Sequence, residues 1–222
     1  MIIDFNADIA EGYPHDAALM EHVQSVNIAC GAHAGDPLIM VQTLREAKRR
    51  GLRVGAHPGY FDRANFGRTM QTITPEELRQ IVGYQLAALK YLADEVGITV
   101  SYVKPHGAMY HQACQDRAMA DALVTTAQAF GLAVMGLPHS QMQTACERGG
   151  VRYIKEGFAD RRYRTDGSLV PRTEKDAMLH DPVEAAKQIK WLVSQMGAET
   201  ICVHGDETES VEFVRAVRQL LQ

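Results

Sequence analysis

The sequence predicts an α/β fold built from parallel strands that carry their chemistry at one end. Apolar, β-rich runs alternate with helical patterns along all 222 residues. Five short motifs rich in acid, imidazole and amine each follow one of those runs. They are Asp4-Phe-Asn-Ala-Asp8-Ile-Ala-Glu11-Gly12, Ala29-Cys-Gly-Ala-His33-Ala-Gly-Asp36, Gly55-Ala-His57-Pro-Gly59, Lys104-Pro-His106-Gly107 and Cys202-Val-His204-Gly-Asp206. No low-complexity linker or composition shift divides the chain, so residues 1–222 read as a single domain. In a parallel β/α barrel all strand C-termini share one rim, where motifs from both ends of the chain meet.

Strands are expected near 2–7, 26–30, 52–56, 100–104, 132–136, 152–156 and 200–203, and helices near 16–24, 37–50, 75–96, 117–130, 139–148, 182–196 and 208–221. That makes seven β/α units. Asp36-Pro37, Thr74-Pro75 and Asp181-Pro182 each place a side-chain acceptor before a proline. The proline lacks an N–H that would have no partner in the first helical turn. Thr74 with Glu77, and Asp181 with Glu184, have capping-box spacing. Gly51, Gly97 and Gly131 follow helical runs and suit left-handed helix ends. Leu78, Ile81, Val82, Leu86, Leu89 and Ala93 recur at three- and four-residue spacing, as a core-facing stripe does. The segment 157–181 is basic, punctuated by Gly and Pro, and expected to be irregular.

Composition excludes some functions. A net charge of -4 leaves no basic footprint for nucleic acid. No apolar run approaches the length of a membrane span, and Met1-Ile-Ile-Asp enters a strand without the pattern of a secretory signal. The four cysteines are scattered without a CxxC pair, which suits reduced thiols and a cytoplasmic location.

Asp4, Asn6 and Asp8 alternate and face one side of their strand. Polar groups inside a barrel need hydrogen bonds, water, a metal or a substrate. Asp4 and Asn6 read equally as a structural network, whereas Asp8 and Glu11 lie nearer the rim and read as catalytic. His33, flanked by small residues, and His57, His106 and His204 at strand ends are site candidates. His15, His22, His139 and His180 are expected at the surface or at caps, and His111 is ambiguous. Lys104 suits a substrate anion or a developing oxyanion; an ion pair with a barrel aspartate is the competing reading. Asp206 suits fixing a neighbouring imidazole or capping the last helix. Arg161 and Arg172 in the basic segment suit carboxylate or phosphate, with Glu156 and Asp160 as alternative arginine partners. Phosphate-loop, dinucleotide-turn and nucleophile-elbow motifs are all missing from the sequence. The remaining chemistry is proton transfer and electrophilic stabilisation.

The motifs together resemble the LamB/YcsF family over nearly the whole chain. The resemblance rests on Asn6-Ala-Asp8-Ile-Ala-Glu11-Gly12, Asn27 to Pro37, Gly55-Ala-His57-Pro-Gly-Tyr60, Phe66-Gly-Arg68, Lys104-Pro-His106-Gly-Ala108 with Tyr110, Phe158-Ala-Asp160-Arg161, Asp166 to Arg172, and Cys202 to Asp206. It implies a distorted seven-stranded, TIM-like β/α barrel similar to that of the polysaccharide deacetylases. It also implies ATP-dependent opening of 5-oxoproline to glutamate together with partner subunits B and C, with Mg²⁺ entering with the nucleotide. In that frame Asp8, Glu11, His57, Lys104, His106 and His204 are catalytic candidates. Asn6, His33, Arg68, Arg161, Arg172 and Asp206 are candidates for binding substrate or phosphate. Deacetylases of this fold hold a divalent cation with Asp and two His, for which Asp8, His57 and His106 are the candidates, although the His-x-x-x-His spacing is missing. Ala7 stands where the family pattern has Cys, and the segment before the last strand is short. Two alternatives stay open: a stand-alone metal-dependent amide or N-acetyl hydrolase, and a non-catalytic binding or scaffolding subunit.

Overall fold

A computed structural model describes residues 3–165, 167–172, 174–204 and 209–221. Seven strands close into a barrel in sequence order: β1 (Asp4–Ile9), β2 (Ser25–Ala29), β3 (Arg53–His57), β4 (Val100–Val103), β5 (Ala133–Gly136), β6 (Tyr153–Phe158) and β7 (Thr200–Val203). Every pairing is parallel, and β7 closes on β1 with Asp4 opposite Thr200 and Asn6 opposite Cys202. The barrel is distorted at β3–β4, where the register shifts between Val54 and Gly55. There the Tyr102 ring occupies the place of a side chain at Gly55: a Cβ on Gly55 would lie 2.1 Å from the ring.

The described helices are α1 (Asp16–Leu19), α2 (Pro37–Arg50), α3 (Pro75–Val96), α4 (Gly107–Gln115), α5 (Arg117–Ala129), α6 (Gln141–Gly149), α7 (Pro182–Gln195) and α8 (Ser210–Leu220). The expected caps form. Asp36 accepts from Leu38 and Ile39 N–H, and Thr74 and Glu77 make a reciprocal capping box. Asp181 accepts from Val183 N–H, but Glu184 reaches toward Arg162 and closes no box. Helix α1 is shorter than expected, ending in a tight turn at Met20. Helix α4 was not expected. It starts at Gly107, whose φ of 53° follows a His106 N-cap that makes no side-chain cap bond, so it carries no ordinary start signal.

Alternation along the strands sorts the core into two parts. Phe5, Ala7, Ile9, Val26, Ile28, Val54, Ala56, Val103, Val134, Ile201 and Val203 pack against the helices. Inside the barrel a small apolar plug of Tyr102, Met135 and Ile154 leaves the remaining positions to polar groups. Low in the barrel, Asp4 accepts from Ser25 and Thr200 hydroxyls and pairs with Arg53. Asp4 is therefore structural. Among the described residues no helix is long and apolar enough to cross a membrane.

Candidate active site

The site is built in layers from the barrel interior toward the strand C-termini. The lowest layer is neutral and fully hydrogen-bonded. Asn6 donates to Thr200 Oγ1 at 2.9 Å and accepts from Asn27 Nδ2 at 2.7 Å. Tyr102 donates to Asn27 Oδ1 at 2.7 Å, and Asn27 Nδ2 also reaches Asp8 Oδ1 at 2.7 Å. Asn6 thus lies beneath the cavity, where its amide is consumed by neighbours.

Above it sits a buried ionic layer. Lys104 Nζ is 2.8 Å from Asp8 Oδ1 and 2.8 Å from Glu156 Oε1, and it donates to Cys202 Sγ at 3.1 Å. The contact with Glu156 is ionic and out of line for a hydrogen bond, while Tyr110 donates to the other oxygen, Oε2, at 2.9 Å. Lys104 therefore realises the ion-pair reading, with two carboxylates around one ammonium. Burial opposes charge on Lys104, but Asp8, Cys202 and Glu156 outweigh it and raise its pKa well above the ordinary lysine value. Burial likewise opposes ionisation of Asp8, yet His57 and Lys104 hold its carboxyl well below the usual range.

The upper layer is imidazole and acid. His57 Nε2 is 3.3 Å from Asp8 Oδ2, and its Nδ1 donates to the Lys104 carbonyl at 2.8 Å. His106 Nε2 donates to the Phe66 carbonyl at 2.8 Å, and its Nδ1 is 3.0 Å from His57 Nε2. Glu11 Oε1 lies 3.0 Å from His33 Nε2, 3.2 Å from His106 Nδ1 and 3.6 Å from His57 Nε2. Burial pushes the pKa of His33 down to about 4, against the pull of Glu11, so the ring is neutral near pH 7. The loop after β3 is held against these rings: a Cβ on Gly67 would come within 2.8 Å of His33 and 3.1 Å of His106. Glu11, His33, His57 and His106 present ligand atoms within 4.8 Å of one another, and so do Asp8, Cys202 and His204. Of the expected trio, His57 and His106 fall in the first of these groups and Asp8 in the second.

On the far side, Asp160 accepts from His204 N–H at 2.8 Å and from His204 Nδ1 at 2.8 Å. That leaves His204 Nε2 facing Asp8 Oδ2 at 3.9 Å, with the imidazole stacked on Phe158. Arg161 is buried and donates to the Val170 carbonyl at 2.7 Å, while its Nε finds no hydrogen-bond partner among the described residues. Burial, then Arg172, lowers its pKa to about 10. Asp8, Glu11, His57, Arg68, Lys104, His106, Arg161, Arg172 and His204 all line one narrow cavity of about 60 Å³. His33 lies behind it, stacked on His106, and Asp206 lies outside the described residues.

The sequence reading did not anticipate the close partners of Glu156 and Asp160. Glu156 pairs with Lys104, and Asp160 with His204. Strand parity held the signal for Glu156, a charge on the same face of β6 as Ile154 and Phe158. His111 also lines the cavity, and burial followed by Arg161 lowers its pKa.

A closed parallel β/α barrel with acid, imidazole and amine at the strand C-termini has the architecture of a barrel enzyme. The chain belongs to the LamB/YcsF family, which it matches over residues 3–222. It is 42% identical, over 99% of this chain and 96% of the relative, to a Haemophilus influenzae (strain PittEE) protein named as the A subunit of 5-oxoprolinase. A lactam utilization protein from Thermus thermophilus superimposes with a TM-score of 0.91 at 34% identity, covering 100% of this chain and 96% of that one. The catalytic domain of a Eubacterium rectale peptidoglycan N-acetylglucosamine deacetylase shares the fold at a TM-score of 0.50 and 11% identity, covering 97% of this chain and 81% of that one.

Proposed function

We propose that this protein is the A subunit of an ATP-dependent 5-oxoprolinase, which opens the lactam of 5-oxoproline to give glutamate. The near-full-length identity to a chain of that name carries the reading, and the cavity supports it. In the proposed reaction ATP, with its Mg²⁺, phosphorylates the lactam oxygen within a complex that includes subunits B and C. Lactam resonance is then lost and the ring carbon becomes electrophilic.

Each side chain then has a role. Arg161, with an unsatisfied N–H, and the neighbouring Arg172 and Arg68 bind the substrate carboxylate or the phosphoryl group. Asp8, kept ionised by Lys104, orients water beside His204. With Nδ1 committed to Asp160, His204 Nε2 takes the proton of that water as its oxygen bonds to the ring carbon. The carbon–nitrogen bond breaks, and the same imidazole delivers the proton to the nitrogen. A second water releases phosphate from the resulting acyl phosphate and leaves glutamate. His106 Nε2 is committed to the Phe66 carbonyl and its Nδ1 faces His57 Nε2, so the acid role falls to His204.

The test is to purify the chain with and without subunits B and C and follow glutamate release from 5-oxoproline. Release that needs ATP and the full set supports the assignment. ATP-independent release from this chain alone makes it an autonomous amide hydrolase, and no release from any combination overturns the oxoprolinase reading.

A further inference from the structure

We infer that Glu11, His57 and His106 form a three-ligand site for a divalent transition ion of the zinc class, with His33 holding the carboxylate ligand from behind. Backbone carbonyls only accept, so His57 Nδ1 and His106 Nε2, each 2.8 Å from a carbonyl, carry the ring protons. In neutral rings His57 Nε2 and His106 Nδ1 are then the lone-pair atoms, and they face each other at 3.0 Å. Two lone pairs at that distance repel unless a proton or a metal ion lies between them.

Glu11 Oε1 completes a triangle with these nitrogens. Its edges are 3.0 Å between the imidazoles, 3.2 Å from Glu11 to His106 and 3.6 Å from Glu11 to His57. A tetrahedral ion with bonds of about 2.0–2.1 Å requires ligand separations of about 3.3–3.4 Å. Without an ion a proton takes that place, since against burial Asp8 and Glu11 raise the His57 pKa, and Glu11 Oε1 accepts from His33 Nε2; an ion at the centre uses all three atoms. The two imidazole rings are nearly perpendicular, at 88°, so both lone pairs can converge on a single point.

His33 does not join the ion, although its Nε2 is close. Its ring is parallel to His106, at 4° and 3.8 Å between centroids. An ion in the plane of one ring is therefore well out of the plane of the other. Instead, His33 Nε2 donates to Glu11 Oε1 at 3.0 Å and fixes the carboxylate, as outer-shell groups do at metal sites. Two histidines and one glutamate, all lining the cavity, leave a fourth position open toward it, a pattern of catalytic rather than structural zinc. Imidazole donors favour zinc-class ions over magnesium.

Ion binding is measured without turnover, so its outcome is independent of the oxoprolinase reading. The full-length chain is stripped with a chelator, equilibrated with Zn²⁺, desalted and assayed by elemental analysis. The expected result is about one ion per chain, a melting temperature raised by Zn²⁺, and a tetrahedral Co²⁺ visible spectrum with no thiolate charge-transfer band. Glu11→Gln should abolish stoichiometric binding. His33→Gln should keep the stoichiometry and weaken affinity roughly 10- to 100-fold. Circular dichroism checks that both variants fold, and the wild-type measurements need no variant. Wild-type protein that retains no ion and melts unchanged with Zn²⁺ overturns the inference. So does a thiolate band, which places the ion at Cys202, or a folded Glu11→Gln variant with wild-type affinity.

Discussion

Asp160 grips His204 at two points, accepting from its backbone N–H and from its Nδ1, each at 2.8 Å. One carboxylate thereby sets both the position of the β7 end and the tautomer of the imidazole that follows it. The remaining nitrogen, Nε2, is left to face the cavity. Asparagine at position 160 would turn an amide N–H toward Nδ1 and move the ring proton to Nε2, the wrong place for a base. Asp160→Asn is expected to lower kcat by roughly 10²- to 10⁴-fold while changing KM little. Steady-state kinetics on the reconstituted complex check this, and a kcat near wild type would remove His204 from the proton path.

Lys104 stabilises the barrel as well as the site. Its side chain is only 2% exposed, against 5% for Asp8 and 0% for Glu156, so water does not solvate these charges. Lys104→Met leaves two carboxylates facing each other without a cation, and the loss is expected to be about 3–5 kcal/mol. Adding Glu156→Gln should recover part of that loss, because one of the orphaned charges is then gone. Urea unfolding of the single and double variants is the measurement. A Met variant as stable as the wild type would show that the ion cluster is not buried as described.

Much of the fold was legible because its signals are local. The Asp36, Thr74 and Asp181 caps need only a side chain and the next turn, and all three form at the expected positions. Likewise, one strand end is enough to mark His57, His106 or His204 as a candidate. Partner choice was not legible. Tyr110 and Glu156 meet across 46 residues, and Asp160 meets His204 across 44, through barrel closure that no local spacing records. Helix α4 lacks a local start signal for a related reason: its first turn is positioned by the Gly67 carbonyl, which accepts from Ala108 N–H.

The position of Tyr102 inside the barrel depends on Gly55. A methyl group at Gly55 would sit 2.1–2.5 Å from three ring atoms, too close for any rotamer adjustment that keeps the Tyr102 hydroxyl on Asn27 and the Val26 carbonyl. Gly55→Ala is expected to destabilise the fold by about 1–3 kcal/mol through overpacking. Combined with Tyr102→Leu, it should cost less than the sum of the two single changes, since the shorter side chain removes the clash. Strict additivity in a double-mutant cycle would contradict the contact.

Asp16 links stability to pH from the start of α1. Its Oδ2 accepts from Ala10 N–H at 2.8 Å, while Oδ1 has no hydrogen-bond partner among the described residues. Burial, helped by the nearby Glu11 charge, raises its pKa from 3.8 to about 6 against the pull of the Ala10 N–H. A carboxyl whose folded pKa lies above its unfolded value binds its proton more tightly in the folded state. Its stabilising contribution is complete below pH 3.8 and is lost as pH rises through about 6. Asparagine keeps an acceptor for Ala10 and does not titrate. The difference in urea midpoint between wild type and Asp16→Asn should therefore move steadily in favour of the variant from about pH 4 to about pH 6, then level off. An unchanging difference across that window would mean that the carboxyl titrates alike in the folded and unfolded chains.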